Sequence, residues 1–153
     1  GGATAPETAV TELWNGSSWA EVADLNTGRS GIAAFGISTA AIAAGGYPAR
    51  AITESWNGTN WTEVADLNTA RHLVAGSLGL VFGGQVPSPV ANTELWNGSA
   101  WTETTDLNTA RASLAAAGTQ TAALAFGGNT SPRQQTEEFT GAGASVTRTF
   151  DVT

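Results

Sequence analysis

The sequence predicts an all-β protein assembled from repeated four-stranded units. Three observations lead there: a 19-residue motif occurs three times, an Asn-Gly pair stands between two tryptophans in every copy, and glycine-broken runs of small residues follow each motif. The copies are residues 11–29 (TELWNGSSWAEVADLNTGR), 53–71 (TESWNGTNWTEVADLNTAR) and 93–111 (TELWNGSAWTETTDLNTAR), and neighbouring copies agree at 14 of 19 positions. The first tryptophan recurs as Trp14, Trp56 and Trp96, at spacings of 42 and 40 residues. Self-similarity at a fixed period of this length is the signature of a repeat architecture.

Each element follows from local chemistry. Asn15-Gly16, Asn57-Gly58 and Asn97-Gly98 stand between alternating runs, which is the strongest short hairpin signal. A two- or four-residue loop there puts both flanking tryptophans on one face of the hairpin. The Asp-Leu-Asn-Thr stretches at 24–27, 66–69 and 106–109 are turn-formers whose side chains cap the nearby backbone. After Arg29, Arg71 and Arg111 come paired small-residue runs, at 31–37 with 40–44, 73–76 with 80–82, and 113–117 with 122–126. Alanine makes a helix the rival reading, but Gly36, Gly76, Gly79, Gly118 and the repeat length favour strands. A double glycine ends each second run, at Gly45-Gly46, Gly83-Gly84 and Gly127-Gly128, and Gly1-Gly2 holds the same place before the first copy. After the last pair, residues 136–139 (TEEF) stand where TELW belongs, while the second tryptophan and the DLNTAR run are gone. The chain holds three good copies and a worn fourth.

Four strands in about 40 to 50 residues describe a β-propeller blade. Small residues suit the inner strands, which crowd the axis, and tryptophans suit the widening outer gap between blades. The order Arg, small strand, strand ending in Gly-Gly, variable loop, Thr-Glu-x-Trp and Trp-Thr-Glu-Val resembles the kelch repeat. A kelch unit has a double glycine after its second strand and a tryptophan starting its fourth. Those positions are Gly45-Gly46, Gly83-Gly84 and Gly127-Gly128, and Trp19, Trp61 and Trp101. The resemblance covers nearly the whole chain. It departs from the family where Trp14, Trp56 and Trp96 replace a tyrosine and where Asn-Gly replaces a longer connection. It implies contacts between blades for Arg29, Arg71 and Arg111, with a recurring Asp or Glu as partner. Recurrence at core spacing assigns all six tryptophans to packing between blades. The WNGxxWTEVADLNTAR pattern also resembles uncharacterised repeat proteins of tailed phages, which implies a virion or extracellular setting.

With strands named a to d, the Arg before a and the Gly-Gly closing b, the single domain 1–153 reads as a c–d hairpin at 11–24. Blades follow at approximately 29–66, 71–106 and 111–153. Three blades do not close a ring, since propellers use roughly four to eight. A homodimer repairs this by forming a six-bladed ring, two-fold dimers being the commonest oligomers. The favoured arrangement has residues 11–22 of one chain complete the blade begun by 113–126 of the other, displacing 136–153. A second arrangement leaves the tail in its own blade and the hairpin spare. The absence of methionine also fits a fragment of a longer single-chain propeller.

Chemistry is sparse. Six basic residues against 13 acidic give a formal charge of −7, no footprint for nucleic acid or an anionic membrane surface. No apolar run approaches the roughly 18 residues of a membrane span. There is no cysteine and one histidine, His72, which reads as a strand-edge residue. No catalytic residue, metal or cofactor is assigned. Glu12, Glu54 and Glu94 recur one per blade, too far apart to share a hard cation, and Asp24, Asp66 and Asp106 read as turn organisers. The sequons at Asn15, Asn57, Asn60, Asn97 and Asn129 read mostly as turn asparagines. The b-to-c loops, 47–50, 85–92 and 129–135, open on one face opposite the Asn-Gly turns, and there the copies diverge. A common scaffold with differing loops is how repeat proteins present binding surfaces. Tyr47, Arg50, Gln85, Arg133 and Gln134 are the candidates for contacting a protein or glycan. The alternative is a piece of a larger propeller enzyme, galactose-oxidase-like or glycan-active, without its catalytic residues here.

Overall fold

A computed structural model describes residues 6–131, 133–141 and the backbone of 146–149. Gly1-Gly2, residues 142–145 and the last residues of the tail, 150–153, lie outside the described set. Among the described residues the chain is all β, with sixteen strands and no helix. The first hairpin is β1 (Glu12–Trp14) with β2 (Trp19–Glu21). The first four-stranded sheet runs β3 (Ala33–Ile37), β4 (Ala40–Ala44), β5 (Thr53–Trp56), β6 (Trp61–Val64). The second uses β7 (Ala75–Ser77), β8 (Leu80–Phe82), β11 (Thr93–Trp96) and β12 (Trp101–Glu103) in that order. The third runs β13 (Leu114–Gly118), β14 (Ala123–Gly127), β15 (Gln135–Phe139), β16 (Val146–Thr149). Every pairing is antiparallel. A small ribbon, β9 (Gln85–Val86) with β10 (Ser88–Pro89), occupies the loop between β8 and β11.

The Asn-Gly turns close four-residue loops. In the first, Asn15 Oδ1 accepts from the Ser17 and Ser18 amides while Gly16 takes φ 100°. Trp14 pairs with Trp19, Trp56 with Trp61 and Trp96 with Trp101 across the hairpins. Strands β3, β7 and β13 begin later than the composition predicts, at one shared cause. Gly31, Leu73 and Ser113, each two residues after its arginine, are left-handed at φ 60°, 54° and 55°. The Leu73 amide donates to Gly31 O and the Ser113 amide to Leu73 O, so these residues bond successive units together before the strands start.

The sheets stack in chain order. Ala33, Ile42, Ala44, Val81, Trp96 and Trp101 are part of the core between the first two. Leu80, Phe82, Leu114, Ala123, Ala125 and Phe139 belong to the core between the second and third. Each Asp-Leu-Asn-Thr turn fastens both neighbours. Asp66 Oδ1 accepts from the Thr53 amide at 3.2 Å in its own unit, and Asn68 donates from its backbone to Glu94 Oε2 at 2.7 Å in the next. Asp24 with Thr11 and Asp106 with Thr93 repeat the first contact, and Asn26 with Glu54 and Asn108 with Glu137 repeat the second. Asp66→Ala leaves the amide of a fully buried residue without that acceptor. It is expected to cost about 1–2 kcal/mol, read as a lower urea midpoint at unchanged slope.

Among the described residues each arginine side chain finds its ion-pair partner, a recurring Glu, within its own sheet. Arg29 Nη2 lies 3.1 Å from Glu54 Oε1, Arg71 Nη1 3.0 Å from Glu94 Oε1 and Arg111 Nη2 2.9 Å from Glu137 Oε1, each carboxylate on the third strand of the arginine's own sheet. The arginine carbonyl makes a contact between units: Gly46 donates to Arg71 O at 2.9 Å and Gly84 to Arg111 O at 2.8 Å. The side chain turns inward because a buried guanidinium needs a carboxylate beside it. One expectation is corrected, that of the tail. Here β15 pairs with β14 and β16 with β15, so the chain completes its own third sheet rather than ceding those positions to 11–22 of another copy. The worn copy keeps Glu137, which pairs with Arg111, and Phe139, which is buried in the core. The first hairpin is left without inner strands of its own among the described residues.

Candidate functional site

The b-to-c loops leave the Gly-Gly pairs beside the turns that join successive units. Gly45 and Gly46, at φ 72° and 130°, redirect the chain after β4. The Tyr47 amide donates to Ser30 O, and the Arg50 amide returns to Gly46 O. This tight loop presents Tyr47, 51% exposed, over the next unit, where its ring meets His72 edge-on at 5.3 Å. His72 is joined in turn to Gln85, which donates to His72 O at 2.8 Å. Gln85 Nε2 donates to Pro87 O at 2.7 Å, holding the β9–β10 ribbon in shape.

The structure thus links Tyr47, His72 and Gln85 across two units. Arg50 is half-buried beside them, with its carbonyl accepting from the Arg71 amide at 3.0 Å. Its Nε and His72 Nδ1 are buried and have no hydrogen-bond partner among the described residues. Arg133 and Gln134 are exposed in the corresponding loop of the third sheet, one sheet further on. His72 is the residue that sequence reasoning set aside. Its signal was the departure of one copy from the others, since Ser30 and Ala112 hold the same position.

Beneath these loops the buried arginines are held by their neighbours' charges. Burial pulls the Arg29 guanidinium below its ordinary pKa, Glu54 opposes that shift, and the charge of Arg50 adds to it. Burial likewise lowers Arg71 against the pull of Glu94. The recurring carboxylates are engaged structurally, Asp24, Asp66 and Asp106 by threonine amides and Glu54, Glu94 and Glu137 by arginines. Among the described residues no three His, Asp or Glu side chains stand together as a group able to hold a metal ion. The exposed Tyr47 ring suits stacking on a planar or sugar surface.

The tryptophans fall into two groups. Trp56, Trp96 and Trp101 are buried and Trp61 is half-buried. Trp61 Nε1 donates to Thr11 Oγ1 at 3.1 Å and Trp101 Nε1 to Thr53 Oγ1 at 3.0 Å, each reaching back to the preceding unit. Trp14 and Trp19 have 48% and 64% of their surface exposed. A cleft of about 150 Å³ lies between the first hairpin and the first sheet, lined in part by Leu13, Val22, Ala41, Trp56 and Trp61.

No family model matches this chain, and no curated protein matches it. The loop face and its chemistry therefore carry the functional reading.

Proposed function

We propose that the chain is a non-catalytic binding module of the kelch-like β-propeller kind, recognising a protein or glycan through its b-to-c loops. The observation that carries this reading is the contact of Tyr47, His72 and Gln85 on the face where the copies diverge. Elsewhere the recurring polar residues hold the sheets together, and this loop group is where an exposed aromatic ring meets polar neighbours. A virion or extracellular setting belongs to this reading, supported by the likeness of the WNGxxWTEVADLNTAR pattern to repeat proteins of tailed phages. A second copy completes the assembly, so that two chains supply six four-stranded sheets with a hairpin at each joint.

Glycan-array binding of the wild type, Tyr47→Ala and Arg50→Ala tests the loop face. The expected result is one glycan class bound by the wild type and weakened about tenfold by Tyr47→Ala, the loss of roughly 1.4 kcal/mol of contact. Unchanged binding in both variants would move the site away from these loops. An array without a wild-type signal would remove glycan recognition and leave a protein ligand.

A further inference from the structure

The three sheets carry one face three times. On the side turned toward the following unit, the first sheet presents the paired rows Ala33–Ala44–Thr53 and Phe35–Ile42–Ser55. The second presents Ala75–Phe82–Thr93 and Ser77–Leu80–Leu95. The third presents Ala115–Phe126–Thr136 and Ala117–Leu124–Glu138. Position for position the rows correspond, yet their burial does not. Ile42 is 9% exposed, Leu80 0% and Phe82 2%, whereas Leu124 and Phe126 are 40% and 39% exposed.

The joint between the first and second sheets shows what covers such a face. Trp96 and Trp101 of the following unit share a core with Ile42, and Trp101 meets Phe35 edge-on at 6.4 Å. Its Nε1 donates to Thr53 Oγ1, the residue that starts β5. At the other end of the chain stands the same tryptophan pair without a face to cover. Trp14 and Trp19 lie 5.5 Å apart at 48°, against 5.2 Å and 47° for Trp96 and Trp101. One end of the molecule therefore carries the socket and the other the matching plug, both apolar and both exposed.

We infer that these two ends join between copies of the chain. Trp14 and Trp19 of one copy seat on β14 and β15 of another, over Leu124, with Trp19 Nε1 donating to Thr136 Oγ1 as Trp101 donates to Thr53. The occupant is a second copy because the internal joint already displays, in the same register, a tryptophan pair in one core with a branched aliphatic residue and an indole donating to the threonine of the third strand. The joint is head to tail, so two copies whose rotation closes make two identical joints and leave neither face in water. The inference rests on the two-copy assembly proposed above and names the residues that hold it.

Light scattering on the eluting protein tests it. The wild type is expected at twice 15.5 kDa, and Trp19→Asp and Leu124→Asp are each expected as monomers. Both substituted residues are exposed, so the variants keep the sheet content, checked by circular dichroism. Mixed in equal amounts, the two variants are expected to pair again, because one intact tryptophan face then meets one intact Leu124 face. Trp19→Phe, which keeps the ring and loses the donor, is expected to weaken dimerisation about fivefold. A monomeric wild type would overturn both the two-copy assembly and this joint. A dimer that survives both aspartate substitutions, or a mixture that stays monomeric, would overturn the joint and leave the assembly standing.

Discussion

Glu94→Ala is expected to remove about 3–5 kcal/mol of stability, the cost of stripping one partner from a buried ion pair. Glu94 and Arg71 are both completely buried and lie 3.0 Å apart. Burial already lowers the pKa of Arg71, and Glu94 is the first influence opposing it. Without that carboxylate the guanidinium keeps a carbonyl contact, with Val81 O at 3.3 Å, which does not neutralise its charge. The turn loses as well, because the Asn68 backbone and side-chain amides both donate to Glu94 Oε2, at 2.7 and 2.8 Å. The measurement is chemical denaturation, in which the midpoint falls at unchanged slope. Replacing both partners, as Arg71→Met with Glu94→Leu, is expected to cost less than Glu94→Ala alone, since no charge is then left buried. A double variant as unstable as the single one would show that the turn, not the ion pair, dominates.

Gly83→Ala is expected to cost about 3 kcal/mol, combining a left-handed backbone penalty with a steric one. Gly83 has φ 62°, and a Cβ there would stand 2.5 Å from the carbonyl oxygen of Arg111 in the next unit. That oxygen accepts from the Gly84 amide at 2.8 Å, so relieving the clash pulls apart the backbone bond between the second and third sheets. Gly127 supplies the control. It has φ 72°, the same turn and the same place in its unit, but nothing lies within 4 Å of its Cβ position. Gly127→Ala is expected to cost only the backbone part, about 1–2 kcal/mol. Calorimetric melting of the two variants separates the effects, and equal losses would mean that close approach is not what demands glycine at position 83.

Some of these features were legible in the sequence alone. The strand pairs and their turns were, because Asn-Gly and Gly-Gly act through local backbone geometry that residue type announces. The role of Asp24, Asp66 and Asp106 was legible for the same reason, since each caps an amide 13 residues away in its own hairpin. Strand starts were displaced because Leu73 and Ser113 adopt the left-handed conformation that Gly31 takes freely. Neither residue type signals that; a contact with the preceding unit imposes it. Tyr47 and Gln85 stood out as loop residues, but their link through His72 depends on how one unit lies against the next.

The partner of each arginine was equally hidden, because Asp and Glu recur with the same period. The strand face decided it. Glu54, paired opposite Ala43 and Glu63, points where Arg29 is buried. The worn tail is a similar case. Its lost tryptophan argued for displacement, whereas Glu137 and Phe139 were enough to keep it in the third sheet.

By itself the sequence determined the repeating unit, its four strands and its turns, since all of these are set within a few residues by backbone chemistry. Only the tertiary structure decided which copies of that unit are covered. Trp14 and Trp96 lie in the same TELWNGS heptapeptide, yet the first is 48% exposed and the second 8%. Burial belongs to the neighbour a residue meets rather than to its own segment, and the two end units have neighbours on one side only among the described residues.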